Sequence, residues 1–415
     1  MLTGSAARTS LAVVVASLMT AVPGTAEEVG GETATMAVPD YDVVAEGLTR
    51  FTNWWRTNDV WDGGIAFTIG PTFEEAYAVR AAIVADRLLS LRRGEAVSKA
   101  FCDRSVGLQG VVEDDMYFMG YGCERNAEGV PACSCVADAA SNALAILDTI
   151  AAYPETPGRE AYVGSLERFV RYVRTNYVDE QGVIGVGILG HQRNPMPQYW
   201  CANALFAATL IGLGEATGKE EYLDAAVPPL EYLARYDYHQ ASIPTWDSCP
   251  TEIVFYAGEG ILAGLLSDAM MARLDHPPML EGLPEPGDAD ATVGDLLERR
   301  WDEFGLWLSE HQEPNGTWPA VGDYRCYQCG LSWLAARAHF GGHAHPRTPP
   351  MISGQLRFLL TPEGKREFGM FCRPFATALA YLSFAGAAQE CAREDPQRWQ
   401  IVIETTQRDH ADALW

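Results

Sequence analysis

The sequence predicts an all-α fold, an (α/α)6 toroid of helical hairpins, and three observations predict it. Six segments are apolar or small on nearly every helical face. Amphipathic, charged segments alternate with them. Each inner-outer pair takes about 50–60 residues, the interval of a stacked helical hairpin. A helix that is apolar all round is buried on all sides, whereas an amphipathic one covers a core from outside. Six helices of the first kind ringed by six of the second make a toroid rather than a bundle.

The elements follow in chain order. Residues 1–26 read as a secretory signal peptide: Arg8 gives a weak positive start, Leu11 to Ala21 is a short apolar run, and Gly24-Thr25-Ala26 is a small-residue cleavage site. Residues 27–40 read as a disordered linker and 41–415 as a single toroid domain. Four outer helices are expected between or just before successive inner ones, 158–177, 219–238 and 293–312 among them; 43–58 adds a fifth at the start, and the sixth is expected near 93–105, where the apolar pattern is poor. Inner helices are expected at 73–91, 135–153, 198–218, 251–271, 327–340 and 373–388. No strand-rich module is visible, although short hairpins fit within the loops.

Composition bounds the function. The chain has 415 residues, of which 48% are hydrophobic, and a net charge of −25. Lys99, Lys219 and Lys365 are its only lysines. Such a surface repels nucleic acid and anionic membranes. No apolar run approaches the roughly 20 residues of a membrane helix. The expectation is a secreted or periplasmic protein, with oligomeric state left open.

Ten cysteines in an exported chain point to disulfides rather than thiolate metal sites. Cys133, Cys135, Cys201, Cys249, Cys326, Cys329 and Cys372 stand at or just before inner-helix N-termini, and Cys123 on the loop above one. They should therefore gather at one rim. Cys326 and Cys329, followed by His339, His343 and His345, imitate a zinc motif. A helix over 329–340 would put about 16 Å between Cys329 and His343. Zinc ligands must lie within about 2.3 Å of one ion, so no metal and no cofactor is expected there.

The same rim collects loops 60–72, 111–135, 182–201, 241–252, 315–329 and 368–374. They mix aromatics, Gly/Pro and ionisable groups, the composition a sugar site needs, because sugar faces stack on rings and hydroxyls take hydrogen bonds. Candidate catalytic acids are Asp114, Asp115, Asp247 and Glu252. Adjacent carboxylates repel, so a buried one can stay protonated near neutral pH. Thr251 and Glu252 also fit plain helix capping, and Glu259 reads as a buried, paired structural acid. Candidate substrate-binding residues are Trp61, Asp62, Tyr117, His191, Arg193, Asn194, Tyr199, Trp200, Trp246, Trp318 and Tyr324.

Three motifs carry resemblances. Residues 114–120, "DDMYFMG", resemble the Asp-Asp/aromatic/Met loop of the six-hairpin glycosidases that include the unsaturated-uronyl hydrolases. That likeness implies a toroid and a carboxylate acid at Asp114 or Asp115. Residues 312–318, "QEPNGTW", resemble the repeat turn of squalene-cyclase-type α-toroids, a tight turn whose tryptophan closes an outer-to-inner connection. His191, Arg193, Asn194, Tyr199 and Trp200 are similar to a segment of toroidal alginate lyases, although in a different order. The reading that results is a secreted carbohydrate-active enzyme, glycoside hydrolase-like. The alternatives are a polysaccharide lyase working by β-elimination and a non-catalytic toroid that binds glycan or protein.

Overall fold

A computed structural model describes residues 40–57, 73–89, 94–111, 114–117, 135–184, 186–189, 192–195, 200–240, 250–319, 322–343, 348–368 and 374–412. In chain order the helices are α1 (Tyr41–Thr57), α2 (Phe73–Leu89), α3 (Gly94–Gly107), α4 (Val136–Ala152), α5 (Arg159–Asn176), α6 (Trp200–Thr217), α7 (Glu220–Arg235) and α8 (Pro250–Leu265). There follow α9 (Asp268–Met271), α10 (Val293–His311), α11 (Leu331–Phe340), α12 (Thr348–Leu360), α13 (Pro362–Phe368), α14 (Pro374–Glu394) and α15 (Pro396–Asp412). A hairpin of β1 (Val186–Leu189) and β2 (Gln192–Pro195) precedes α6, pairing Gly187 with Asn194 and Ile188 with Arg193.

The packing closes a ring. Helix α2 packs on α4, α4 on α6, α6 on α8, α8 on α11, α11 on α14, and α14 returns to α2. Helix α3 lies outside α2 and α4, α5 outside α4 and α6, and α7 outside α6 and α8. Helix α10 backs α8, α12 backs α11 and α14, and α1 with α15 completes the outer layer against α14. The chain is thus an all-α (α/α)6 toroid, and the helix expected near 93–105 is α3.

The inner ring is narrow because its residues are small. Every residue of α8 is buried. At Gly260 a β-carbon would come within 2.7 Å of the Ala204 backbone on α6, so glycine there permits the helices to touch. The outer helices bury one stripe each. On α5 that stripe is Tyr162, Ser165, Leu166, Phe169, Val170 and Val173.

The 312–318 turn joins α10 to the inner ring as expected. Gly316 N donates to Glu313 O at 2.8 Å, with Pro314 and Asn315 at the turn's centre. Gln312 Nε2 donates to Gly316 O at 3.1 Å. Trp318 is buried and its Nε1 donates to Leu308 O at 2.8 Å. Gln328 then receives Trp318 N at 3.0 Å and donates to Trp318 O at 2.6 Å. A 3-10 segment, Gly322–Gly330, leads from this junction into α11.

Candidate active site at the rim of the toroid

The inner helices point the same way, so their first turns meet at one rim. Phe73 of α2 packs on Phe375 of α14 with ring centroids 5.4 Å apart. Tyr327, just before α11, lies 5.4 Å from Phe375 and 5.1 Å from Tyr256 of α8. Phe255 touches Tyr77, Tyr256, Tyr327 and Phe375. Four inner elements thereby share an aromatic floor beneath the rim.

Two carboxylates look onto this floor. Asp138 stands in the first turn of α4 and Glu252 in the first turn of α8. Asp138 interacts electrostatically with Tyr256 and Tyr327. Neither tyrosine is on a helix adjacent to α4 in the ring, so this interaction runs across the lumen. Tyr327 is also coupled to Glu252. Asp138 keeps partial solvent contact. Enclosure by the surrounding helices nevertheless pushes its carboxyl up to about 7. Glu252 is 9% exposed. Burial, followed by the charge of Glu252, holds the Tyr327 phenol well above its usual range. Burial and Tyr327 do the same to Tyr256.

Below the floor the lumen is closed by charge. Arg80 of α2 donates through Nη1 to Glu259 of α8 at 2.6 Å and through Nε to Asp148 of α4 at 2.7 Å. Tyr77 OH donates to the other Glu259 oxygen at 2.5 Å. Helices α2 and α8 are opposite one another in the ring, so the Arg80–Glu259 pair spans the toroid. Trp333 of α11 lies under the Arg80 guanidinium at 5.1 Å and under that of Arg337 at 5.1 Å. Burial alone would lower the Arg80 pKa, but Glu259 and Asp148 reverse this and raise it. Arg337 is lowered by burial, which Glu259 only partly offsets. Glu259 is the buried, paired acid expected of it.

The structure puts several predicted site residues on the outer wall or in the core. Asp114 and Asp115 lie on the outer wall beside α5. Asp114 is exposed, and Asp115 points to Arg168 of α5 at 3.4 Å. Gln109, which follows α3, donates to Asp115 O at 2.9 Å and fixes this turn from outside. Tyr117 is buried and hydrogen-bonded to Ser165 at 2.8 Å. Trp200 is buried and packs edge-on against Tyr238. Trp318 is the buried clasp described above. These three rings offer no open face to a ligand, because each is consumed by core packing. Among the three candidate acids that are described, Glu252 is the one at the lumen rim.

The remaining expectations lie partly outside the described residues: Trp61, Asp62, His191, Tyr199, Trp246 and Asp247 entirely, and the side chains of Arg193, Asn194 and Tyr324. Cys123, Cys133, Cys249, Cys372 and His345 also lie outside them. Among the described cysteines, Cys135, Cys201, Cys326 and Cys329 stand at the rim, while Cys102 lies on α3 and Cys391 on α14. All six are thiols in this structure, not disulfides. Helix α11 lies between Cys329 and His343, and His339 near its end pairs with Glu390 at 2.5 Å.

Asp138, Tyr256 and Tyr327 were missed by sequence reasoning. A signal was present in "CVADAASNALAILDTIAAY": Asp138 is an acid in the first turn of a helix with no polar face. Arg80, Asp148, Glu259 and Arg337 carry the same signal further down their helices.

Fold and rim together define the class: a helical toroid with an acid-and-aromatic site at one mouth of its lumen. No family model matches the sequence, and no curated protein matches it. Comparison with solved structures does find similar chains. One is described as a polysaccharide lyase, with TM-score 0.54 and 10% identity over 86% of this chain and 98% of that one. A second is a possible member of the GH105 family from Klebsiella pneumoniae, at TM-score 0.49 and 13% identity over 95% and 99% of the two chains. A third is a possible GH105 member from Salmonella enterica, at TM-score 0.48 and 13% identity over 85% and 94%.

Proposed function

We propose that this protein is a carbohydrate-active enzyme of the glycoside hydrolase type, with Asp138 as general acid and Glu252 as the second carboxylate. One observation carries the reading: two carboxylates from non-adjacent inner helices face Tyr327 over an aromatic floor, and enclosure pushes one of them, Asp138, up to about 7. A protonated Asp138 would donate to the glycosidic oxygen as the bond breaks. Glu252 would then attack the anomeric carbon or activate a water, the two routes open to the second carboxylate of a glycosidase pair. Tyr327, which keeps solvent contact, would supply a ring face and a hydroxyl to the sugar. Fold likeness to a polysaccharide lyase agrees with a glycan substrate. The phenols argue against elimination through Tyr256 or Tyr327, because both are pushed away from the ionised form that a base requires. Export of the chain rests on residues 1–26, and N-terminal sequencing of the mature protein checks it.

The test is a panel of oligosaccharides assayed in parallel for new reducing ends and for near-ultraviolet absorbance of unsaturated uronides. Reducing ends without that absorbance are expected. Asp138→Asn and Glu252→Gln should each lower turnover by about 10²-fold or more while melting as a folded protein. Full activity in both variants would remove these residues from the chemistry. Unsaturated products would make the protein a lyase, and binding without turnover would make it a glycan-binding toroid.

A further inference from the structure

We propose that the far mouth of the lumen, where the inner helices end, is a second binding site for a neutral, polyhydroxylated molecule of monosaccharide size. A cleft of about 410 Å³ opens there between the C-terminal halves of α4 and α6. Leu144, Leu147 and Ala208 give it apolar walls, and Asp148 and Glu215 supply its polar groups. Asp148 bonds Arg80 inside the lumen, and Glu215 accepts from Ser267, just past α8, at 2.8 Å. The cleft therefore opens on the lumen and not on the outer layer. Its volume falls within the roughly 300–1,000 Å³ of small-molecule sites, which are mostly apolar with a few placed polar groups.

An unpaired group points to a ligand there. Arg337 of α11, opposite α4 in the ring, is 3% exposed, and its Nη1 is buried without a hydrogen-bond partner among the described residues. Trp333 Nε1, one turn earlier, is buried in the same state. Asp148, which lines the cleft, is within electrostatic reach of Arg337. A buried donor with no acceptor is costly, and more so on a charged group, so folded proteins satisfy such donors with something bound.

Charge decides what that is. Arg80 and Arg337 stand against Asp148 and Glu259, two cations and two anions, so the layer lacks an acceptor atom and not a counter-ion. An anion entering the cleft would meet Asp148, and an organic cation would meet Arg337, each of its own sign. A hydroxyl suits both sides: its oxygen accepts from Arg337 Nη1 and its proton goes to a carboxylate. Asp148 gives one oxygen to Arg80 and keeps the other for such a contact. Burial raises the Glu215 carboxyl, which Ser267 offsets only in part, and its protonated form donates as well as accepts. The proposal stands apart from the rim chemistry, because the Arg80–Glu259 pair lies between the two mouths.

The experiment titrates the full chain with glucose, galactose and xylose and follows the methyl resonances of Leu144 and Leu147, which report on this cleft alone. At least one sugar should shift them saturably. Arg337→Met should weaken that sugar by about 10-fold or more, the factor that a hydrogen bond to a charged group carries. Ala208→Leu fills the cleft without touching the charged layer and should weaken it at least as much, which keeps the test open if Arg337→Met does not fold. Asp138→Asn alters only the rim and should leave this affinity unchanged, so the two sites stand or fall separately. A crystal soaked in the same sugar should place one of its oxygens about 3 Å from Arg337 Nη1. No saturable shift with any of the three sugars, an affinity unchanged in a folded Arg337→Met or Ala208→Leu, or ordered water alone at Arg337 Nη1 in the soaked crystal would overturn the site.

Discussion

At the scale of single residues, Asp138 gives the clearest consequence for pH. Its carboxyl is raised to about 7 by enclosure, against about 3.9 in an unfolded chain. The folded state therefore holds a proton between these values that the unfolded state has lost, and stability falls as pH rises through that window. At about 1.4 kcal/mol per unit the ceiling is about 4 kcal/mol, and the carboxyl's partial solvent contact brings the effect below it. Asp138→Asn carries no charge at any pH. Urea unfolding from pH 4 to pH 8 should show the parent losing stability relative to this variant as pH rises. Parallel curves for the two proteins would show that Asp138 is not enclosed. Asp114 and Asp115 attract attention in sequence because they are adjacent, but the fold leaves Asp114 exposed and pairs Asp115 with Arg168 on the outer wall.

At the scale of elements, the turn after α10 shows what a short motif specifies. Gly316 has φ of +91°, and a β-carbon there would come within 2.2 Å of Gly354 O on α12. Gly316→Ala should therefore cost roughly 1–3 kcal/mol, counting left-handed strain and the forced shift of α12. A thermal melt within 1 °C of the parent would show that α12 yields freely. This turn was legible in sequence because its Asn-Gly and tryptophan act within seven residues. The inner helices were legible for a similar reason, since a helix with no polar face has nowhere to sit but inside. The rim site was less legible, because it is assembled from α4, α8 and the segment before α11, more than 180 residues from Asp138 to Tyr327 in the chain. Aromatic content did not separate the buried Trp200 and Trp318 from the partly exposed Tyr327. That distinction depends on which ring meets the outer layer, and only the packing fixes it.

At the scale of the whole molecule, the toroid is tied across its middle by charge. Arg80 bonds both Glu259 and Asp148, and Tyr77 belongs at once to this layer and to the aromatic floor above it. Arg80→Met would leave two carboxylates in the lumen without their cation. Removing one partner of a buried ion pair costs about 3–5 kcal/mol, because the other is left uncompensated in a place water reaches poorly. Replacing Arg80, Asp148 and Glu259 together with Met, Leu and Leu should return only part of that loss, since Arg337 stays buried beside Trp333 without the two carboxylates that face it. Urea midpoints at constant slope would separate the two variants. A loss below about 1 kcal/mol in Arg80→Met would show that the layer is wetter than its burial implies. The triple variant also tests whether the layer serves the rim. Tyr77 would keep its ring contacts with Phe255 and Phe375 but lose the Glu259 acceptor that fixes its tilt. If the charged layer only fills the lumen, the triple variant should keep the parent's stability–pH profile at Asp138. If it also sets the height of the floor, water should enter beneath Tyr327, and the Asp138 carboxyl should fall back toward the ordinary carboxylate range.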